Sequence, residues 1–355
     1  MKKLFLSMVA LVMAAMSYAQ GSVLATLSHD GEITTFYGGT ALKKAHAAAQ
    51  HGDVITLSSG SFDAVDITKA LTIRGAGMQT DPVAKIYPTI ILGAFYINVA
   101  DSLEQRLTIE GIYCDNNTVT VRNMLKNATF IKSRFYIFKS VGNSNNGWGF
   151  MKNVAFIHCK IAANFTDKNG GNSISFVNSV IMNPEVGSGD YTNNSFEFTN
   201  CVVEWDYYST AYYPYNRSYY AIYRNCVLYS ARVSSSYPSY SALSKTNLIY
   251  NCLGVCKYNM FANHGSQGDL FYSTTSLTDV FKNWTGTYTD AQAFELTDEA
   301  KTKYLGDDGK ELGIYGGNLP FTPNPTNPKI TKFNVASKST ADGKLSVDIE
   351  VKAAE

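Results

Sequence analysis

The chain has 355 residues, 45% of them hydrophobic, and carries 30 Lys and Arg against 29 Asp and Glu, a formal net charge of +1 at pH 7. A balance this close to neutral creates no basic field to attract nucleic acid or anionic lipid, so neither is expected as a partner. Beyond the N-terminus no apolar run approaches the roughly 20 residues of a membrane span, so none is expected.

Residues 1–19 read as an export signal: Lys2 and Lys3, an apolar core from Leu4 to Met16, then Ser17-Tyr18-Ala19 with small residues where the peptidase needs them. Cleavage before Gln20 is expected, giving a protein in the periplasm, at the cell surface or outside. Loss of the two lysines moves the net charge from +1 to about −1 (+1 minus 2). No cysteine follows the cleavage position, so no lipoprotein anchor is expected. Residues 40–50 carry the one convincing helix, with Thr40 as N-cap, the run Ala41-Leu42-Lys43-Lys44-Ala45-His46-Ala47-Ala48-Ala49, and a stop at His51-Gly52.

From residue 107 onward a short pattern returns at near-regular intervals. Apolar and polar residues alternate, then a polar residue, mostly Asn, is followed at once by a small one and, two places later, by an apolar one. Phe196-Glu197-Phe198-Thr199-Asn200-Cys201-Val202-Val203 is the clearest copy, and related units surround Asn178-Ser179, Asn225-Cys226, Asn251-Cys252 and His158-Cys159. Taking Gly111, Ser133, Cys159, Ser179, Cys201, Cys226 and Cys252 as equivalent gives steps of 22, 26, 20, 22, 25 and 26 residues. A period in the twenties filled with period-2 strands predicts an all-β parallel β-helix, one coil per repeat; the leucine pattern of leucine-rich repeats is missing. Phe196 and Phe198 are expected to point inward. The alternation then slips by one, so Cys201, Val203 and Trp205 become the inward set and Asn200-Cys201 marks a bend between strands. Asn178, Asn200, Asn225 and Asn251 are then stacked about 4.8 Å apart, with side-chain amides expected to bond along the stack. The small neighbours are expected as buried free thiols and hydroxyls, with disulfides between coils as the competing reading. No paired Cys or His motif of ligand spacing accompanies Cys252 and Cys256, so no metal is expected. The helix at 40–50 is expected to cap the open end of the solenoid.

Gly52-Asp53-Val54-Ile55-Thr56-Leu57-Ser58-Ser59-Gly60-Ser61-Phe62 and Ile67-Thr68-Lys69-Ala70-Leu71-Thr72-Ile73-Arg74-Gly75-Ala76-Gly77 resemble the opening coils of the pectin-lyase-like, right-handed parallel β-helix superfamily. Gly306-Asp307-Asp308-Gly309-Lys310-Glu311-Leu312-Gly313-Ile314-Tyr315-Gly316-Gly317 resembles the ending of β-helix domains in secreted Bacteroidetes-type proteins. The resemblance covers about residues 38–320, and the β-helix domain is expected over residues 20–319; the proline content of 320–328 reads as a stiff linker and the alternation in 329–355 as a β-hairpin-like extension. It also raises polysaccharide lyases and glycoside hydrolases as analogies. A hydrolase needs two carboxylates across the scissile bond, for which Glu185, Asp190, Glu197, Glu204 and Asp206 are candidates. A lyase needs a cationic base and an acidic Ca2+ site; Lys132, Arg134, Lys160, Arg224 and Arg232 supply cations. The catalytic signatures of both groups are absent, and Ca2+ is implied only by the lyase reading. His158 reads as a turn residue of the asparagine column and His264 as a loop residue without a partner.

The most unusual text is the aromatic segment between the coils. Residues 205–240 hold Trp205 and eleven of the 24 tyrosines, among them Tyr207, Tyr208, Tyr212, Tyr213, Tyr215, Tyr219 and Tyr220, around Arg217. Tyrosine presents a flat apolar face while keeping its hydroxyl wet, which suits contact with sugar rings or a protein partner. The competing reading folds these rings back over the flank of the solenoid. Two functions are therefore expected: a non-catalytic module that binds polysaccharide or cell-surface glycan or acts in surface adhesion, or a divergent lyase or hydrolase of uronic-acid polysaccharide.

Overall fold

A computed structural model describes residues 23–81, 86–100, 106–140, 151–165, 171–186, 194–204, 220–229, 247–255, 267–273, 276–286, 289, 292–325, 329–335, 342–344 and 346–352. The expected export signal lies outside these residues.

The described strands form a 22-stranded sheet wound as a parallel β-solenoid, and a separate two-stranded sheet. Each central coil has a first strand, a bend and a second strand. First strands such as Ser173–Val177, Ser195–Thr199 and Ala221–Arg224 stack in register, Phe176 opposite Phe198 and Phe198 opposite Tyr223. Second strands such as Val180–Val186, Val202–Glu204 and Val227–Tyr229 stack beside them. At the bend one residue adopts left-handed backbone in seven successive coils: Gly111, Lys132, His158, Asn178, Asn200, Asn225 and Asn251, with φ between 43° and 67°. Asparagine is among the few L-residues that visit this region readily, which is why it fills four of the seven places. One left-handed residue turns the chain so that its two successors start a new alternation, the slip seen in the sequence. Register corrects one equivalence. Ile131 pairs with Glu110, so Gly111 stands opposite Lys132 and Ile112 opposite Ser133.

Inside, the position two before the bend builds a column of rings. Phe130, Phe156, Phe176, Phe198 and Tyr223 stack with centroids 4.7–5.2 Å apart and planes within 14° of parallel. The inter-strand repeat sets that spacing, and all five side chains are fully buried. Next to it runs the small-residue column. The described cysteines Cys114, Cys159, Cys201, Cys226 and Cys252 are free and buried. Ser179 Oγ accepts from the Cys159 N–H at 3.0 Å and donates back to the Val177 carbonyl. Cys226 and Cys252 do the same, accepting at 3.4 Å from the N–H of Cys201 and Cys226. Hydroxyls and thiols thus serve the backbone of the neighbouring coil just after each bend. Burial accordingly raises the thiol pKa values of Cys114, Cys226 and Cys252, and that of Cys159 to about 12.

The asparagine column stacks as expected, but its side chains do not bond along the stack. Those of Asn178 and Asn225 reach outward to a strap formed by residues 306–325. Asn178 Nδ2 donates to the carbonyls of Ile314 and Gly316 at 2.8 and 2.9 Å. Asn225 Nδ2 donates to Asp307 Oδ1 at 2.7 Å, and Asn225 Oδ1 accepts from the Asp307 N–H. His158 Nε2 bonds the Leu319 carbonyl at 2.9 Å. Gly317 (φ 72°) faces Asn200, and any Cβ there collides with the Asn200 amide. The strap continues into the proline-rich stretch: Phe321 and Pro325 are buried, and Pro325 lies against Gly77 and Gly111 of early coils.

The strap and the segment before it build a second core. The residue after each small one, outward on the second strand, is apolar in the later coils: Val180, Val202, Val227 and Leu253, all fully buried. They pack with Phe281, Trp284, Phe294, Leu296, Leu312, Ile314 and Phe321. Two short helices shape that layer, Leu277–Val280 capped by Ser276 and Asp298–Lys303 capped by Thr297.

At the other end a helix, Ala41–Ala48, buries Ala41, Leu42, Ala45 and His46 on the first coil, as a cap should. Thr40 does not cap it: with φ −86° and ψ 4° its side chain makes no capping bond. The helix is fixed from its other end, where Lys69 Nζ donates to the carbonyls of His46, Ala47 and Ala49. That ammonium satisfies acceptors a helix C-terminus leaves open and complements its dipole. Ahead of the helix lies an antiparallel hairpin, Leu24–His29 with Glu32–Tyr37, whose first strand pairs antiparallel with Val54–Leu57. Its turn is Asp30-Gly31, both with positive φ, the combination a two-residue hairpin turn demands. The last strands, Lys329–Val335 and Val347–Lys352, form the expected antiparallel hairpin.

Candidate functional site

Of the aromatic candidates, Trp205, Tyr207, Tyr208, Tyr212, Tyr213, Tyr215, Arg217 and Tyr219 lie outside the described residues. Tyr220 is described, half-buried with φ 55°. What the structure fixes is where the segment joins the solenoid. It leaves after the second strand Val202–Glu204 and returns just before the first strand Ala221–Arg224 of the next coil. Stretches 166–170, 187–193 and 230–246 join coils at the corresponding place, between second strands ending at Phe165, Val186 and Tyr229 and the next first strands.

The re-entry corner is held by a second asparagine ladder that the sequence reading missed. Asn172, Asn194 and Asn247 are all buried, each one residue before a first strand. Asn172 Oδ1 accepts from the Met151 N–H, Asn194 Oδ1 from the Asn172 N–H, and Asn247 Oδ1 from the Ala221 N–H, at 2.9–3.0 Å. Here asparagines do bond along the stack. Asn-Ser at 172–173 and 194–195 was the available signal, but it stood inside turn-like text. Each bond pins the chain at the first residue after an insertion, so segments of very different length start and end on fixed backbone.

The remaining candidates that are described do not converge. Glu197 is an exposed outward residue of a first strand, and Glu204 ends the following second strand beyond the Asn200 bend. The side chain of Glu185, and Asp190, Asp206 and Arg232, lie outside the described residues. Lys132 and Lys160 are buried. Arg134 lies over the Tyr113 ring at 4.5 Å, and Arg224 over the Tyr250 ring at 4.6 Å and 3.6 Å from Asp307. His158 is a left-handed bend residue; burial lowers its pKa, against the opposing effect of its bond to Leu319. The neutral ring donates from Nε2. His264 lies outside the described residues. Among the described residues no three His, Cys, Asp or Glu gather as metal ligands would.

One polar pair stands apart. His29 Nδ1 lies 2.8 Å from Asp53 Oδ1, and Asp53 Oδ2 accepts from the Gln50 N–H at 2.7 Å. The bond to Asp53 raises the His29 pKa. Burial pushes Asp53 upward, but the Gln50 N–H and His29 outweigh it and leave the carboxyl below its usual range. The pair ties the N-terminal hairpin to the turn before the first coil. No family model, curated protein or solved structure matches the chain, so the site is read from its own residues.

Proposed function

We propose that this chain is an exported, non-catalytic β-solenoid module of the pectin-lyase-like type, binding polysaccharide or cell-surface glycan through Trp205, Tyr207, Tyr208, Tyr212, Tyr213, Tyr215, Arg217, Tyr219 and Tyr220. The supporting observation is the placement of that text: an aromatic insertion between the fixed ends Glu204 and Ala221 of consecutive coils. A long carbohydrate chain favours such a support, because a rigid solenoid lowers the ordering cost of each aromatic contact. The opening-coil motifs at residues 52–62 and 67–77 support the family assignment, and the signal-like residues 1–19 support export. The experiment is incubation of purified protein with a panel of uronic-acid and neutral polysaccharides. Retention on at least one polysaccharide in affinity electrophoresis, with no unsaturated uronate and no new reducing ends, is expected. Either product would show the protein to be a lyase or a hydrolase instead.

A further inference from the structure

Among the described residues, the N-terminal hairpin leaves one sheet edge without a partner strand. Among the described residues Glu32–Tyr37 pairs only with Leu24–His29, so it is the outermost strand of the first-strand face. Its outward side chains are unusually apolar for an edge: Ile33 is 71% and Tyr37 60% exposed, with Thr35 exposed between them. Native edges of this kind are normally blunted by lysine, proline or a bulge, and none is present here.

The hydrogen-bond alternation fixes which groups this edge offers. In a two-residue hairpin the residues flanking the turn exchange both backbone bonds, so His29 and Glu32 form a bonded pair. The bond from the Gly38 N–H to the Val23 carbonyl, 2.8 Å, keeps the same phase at the far end. The intervening residues Ile33, Thr35 and Tyr37 therefore direct their N–H and C=O groups to the open side. Their side chains are exposed, as are those of Glu32 and Thr34; only Phe36 is half-buried.

We propose that this edge pairs antiparallel with the same edge of a second copy of the chain, Thr35 opposite Thr35 and Ile33 opposite Tyr37 across a two-fold axis. That register is self-complementary on each count the strand presents. Every outward N–H and C=O meets its counterpart in a bonded pair, about six hydrogen bonds in all. β-branched Ile33 meets aromatic Tyr37 twice and Thr meets Thr, pairings that favour antiparallel strands. Glu32 of one copy stands about 20 Å from Glu32 of the other, more than a Debye length at physiological salt, so the acidic ends do not repel. One strand per copy is a small interface, so dimer and monomer exchange over the micromolar range.

Sedimentation velocity on purified protein from roughly 1 to 200 µM is expected to show a monomer–dimer equilibrium. Thr35→Pro removes an outward N–H at a position where an edge strand accepts proline, so it should give monomer with unchanged melting temperature. Thr35→Cys should cross-link on mild oxidation, because its mate lies about 5.5 Å away, whereas Ile33→Cys, about 13 Å from its own mate, should not. Wild type that stays monomeric throughout, as when residues ahead of Val23 or a different protein occupy the edge, overturns the proposal. So does a dimer that survives Thr35→Pro, or cross-linking of Ile33→Cys as fast as Thr35→Cys.

Discussion

Asn178 separates the two tasks that the structure gives a bend residue. It holds left-handed backbone at φ 43° and, almost wholly buried, donates to two carbonyls of the strap at 2.8 and 2.9 Å. Asn178→Gly keeps the backbone at ease and removes only the side-chain bonds. Two bonds at about 1 kcal/mol each, with the strap carbonyls left short of a donor, give a loss of about 2 to 4 kcal/mol. Asn178→Ala loses the same bonds and adds the left-handed penalty of about 1 to 2 kcal/mol. The order of stability is therefore wild type, then Gly, then Ala. Equilibrium urea unfolding followed by tryptophan fluorescence reads this well, because Trp284 sits in the layer beside the strap, against Tyr229. Equal losses in Gly and Ala would refute the left-handed bend. A Gly variant as stable as wild type would refute the strap contacts.

Two further substitutions test neighbouring parts. Cys226→Ser should cost under about 1 kcal/mol, since Ser179 fills the equivalent place with the same bonds, while Cys226→Val should cost about 1 to 3 kcal/mol by orphaning the buried Cys201 N–H; thermal unfolding of both variants checks the difference. His46 has its pKa lowered from 6.5 to about 4 by burial and by Lys69. A histidine held neutral in the folded state gives stability that is complete above pH 6.5 and lost as pH falls toward 4, because the unfolded chain then binds the proton first. His46→Gln, which can still accept from the Thr68 N–H, should flatten the fall in melting temperature across that window; an unchanged slope would place its origin elsewhere.

The sequence made the solenoid legible because each coil repeats a local rule. Alternation marked Phe196 and Phe198 as inward, the Asn-small pair marked the bend, and the alanine-rich helix marked the cap. The roles of side chains at the bend were not legible, because their partners are remote: Asn178 meets Ile314 and Gly316 across 136 and 138 residues. Nothing periodic announces such a contact. For the same reason Val180, Val202 and Val227 read as outward residues, and only the strap explains why they are apolar. The N-terminal hairpin was within reach of the sequence. Asp30-Gly31 between two alternating runs is a strong turn signal, but the register that lays Leu24–His29 on Val54–Leu57 is not a local property. The aromatic segment was legible as composition, and its point of attachment only from the strands on either side.

The proposed function rests on that segment, and one measurement bears on it most directly. The variant Tyr212→Ala, Tyr213→Ala, Tyr215→Ala is compared with wild type for retention in a polysaccharide affinity gel, alongside melting temperature. The proposed glycan-binding role predicts that retention is lost while the melting temperature stays the same, because rings that serve a ligand can be removed without loss to the scaffold. Undiminished retention, or a large fall in melting temperature, would contradict it and make the rings part of the scaffold.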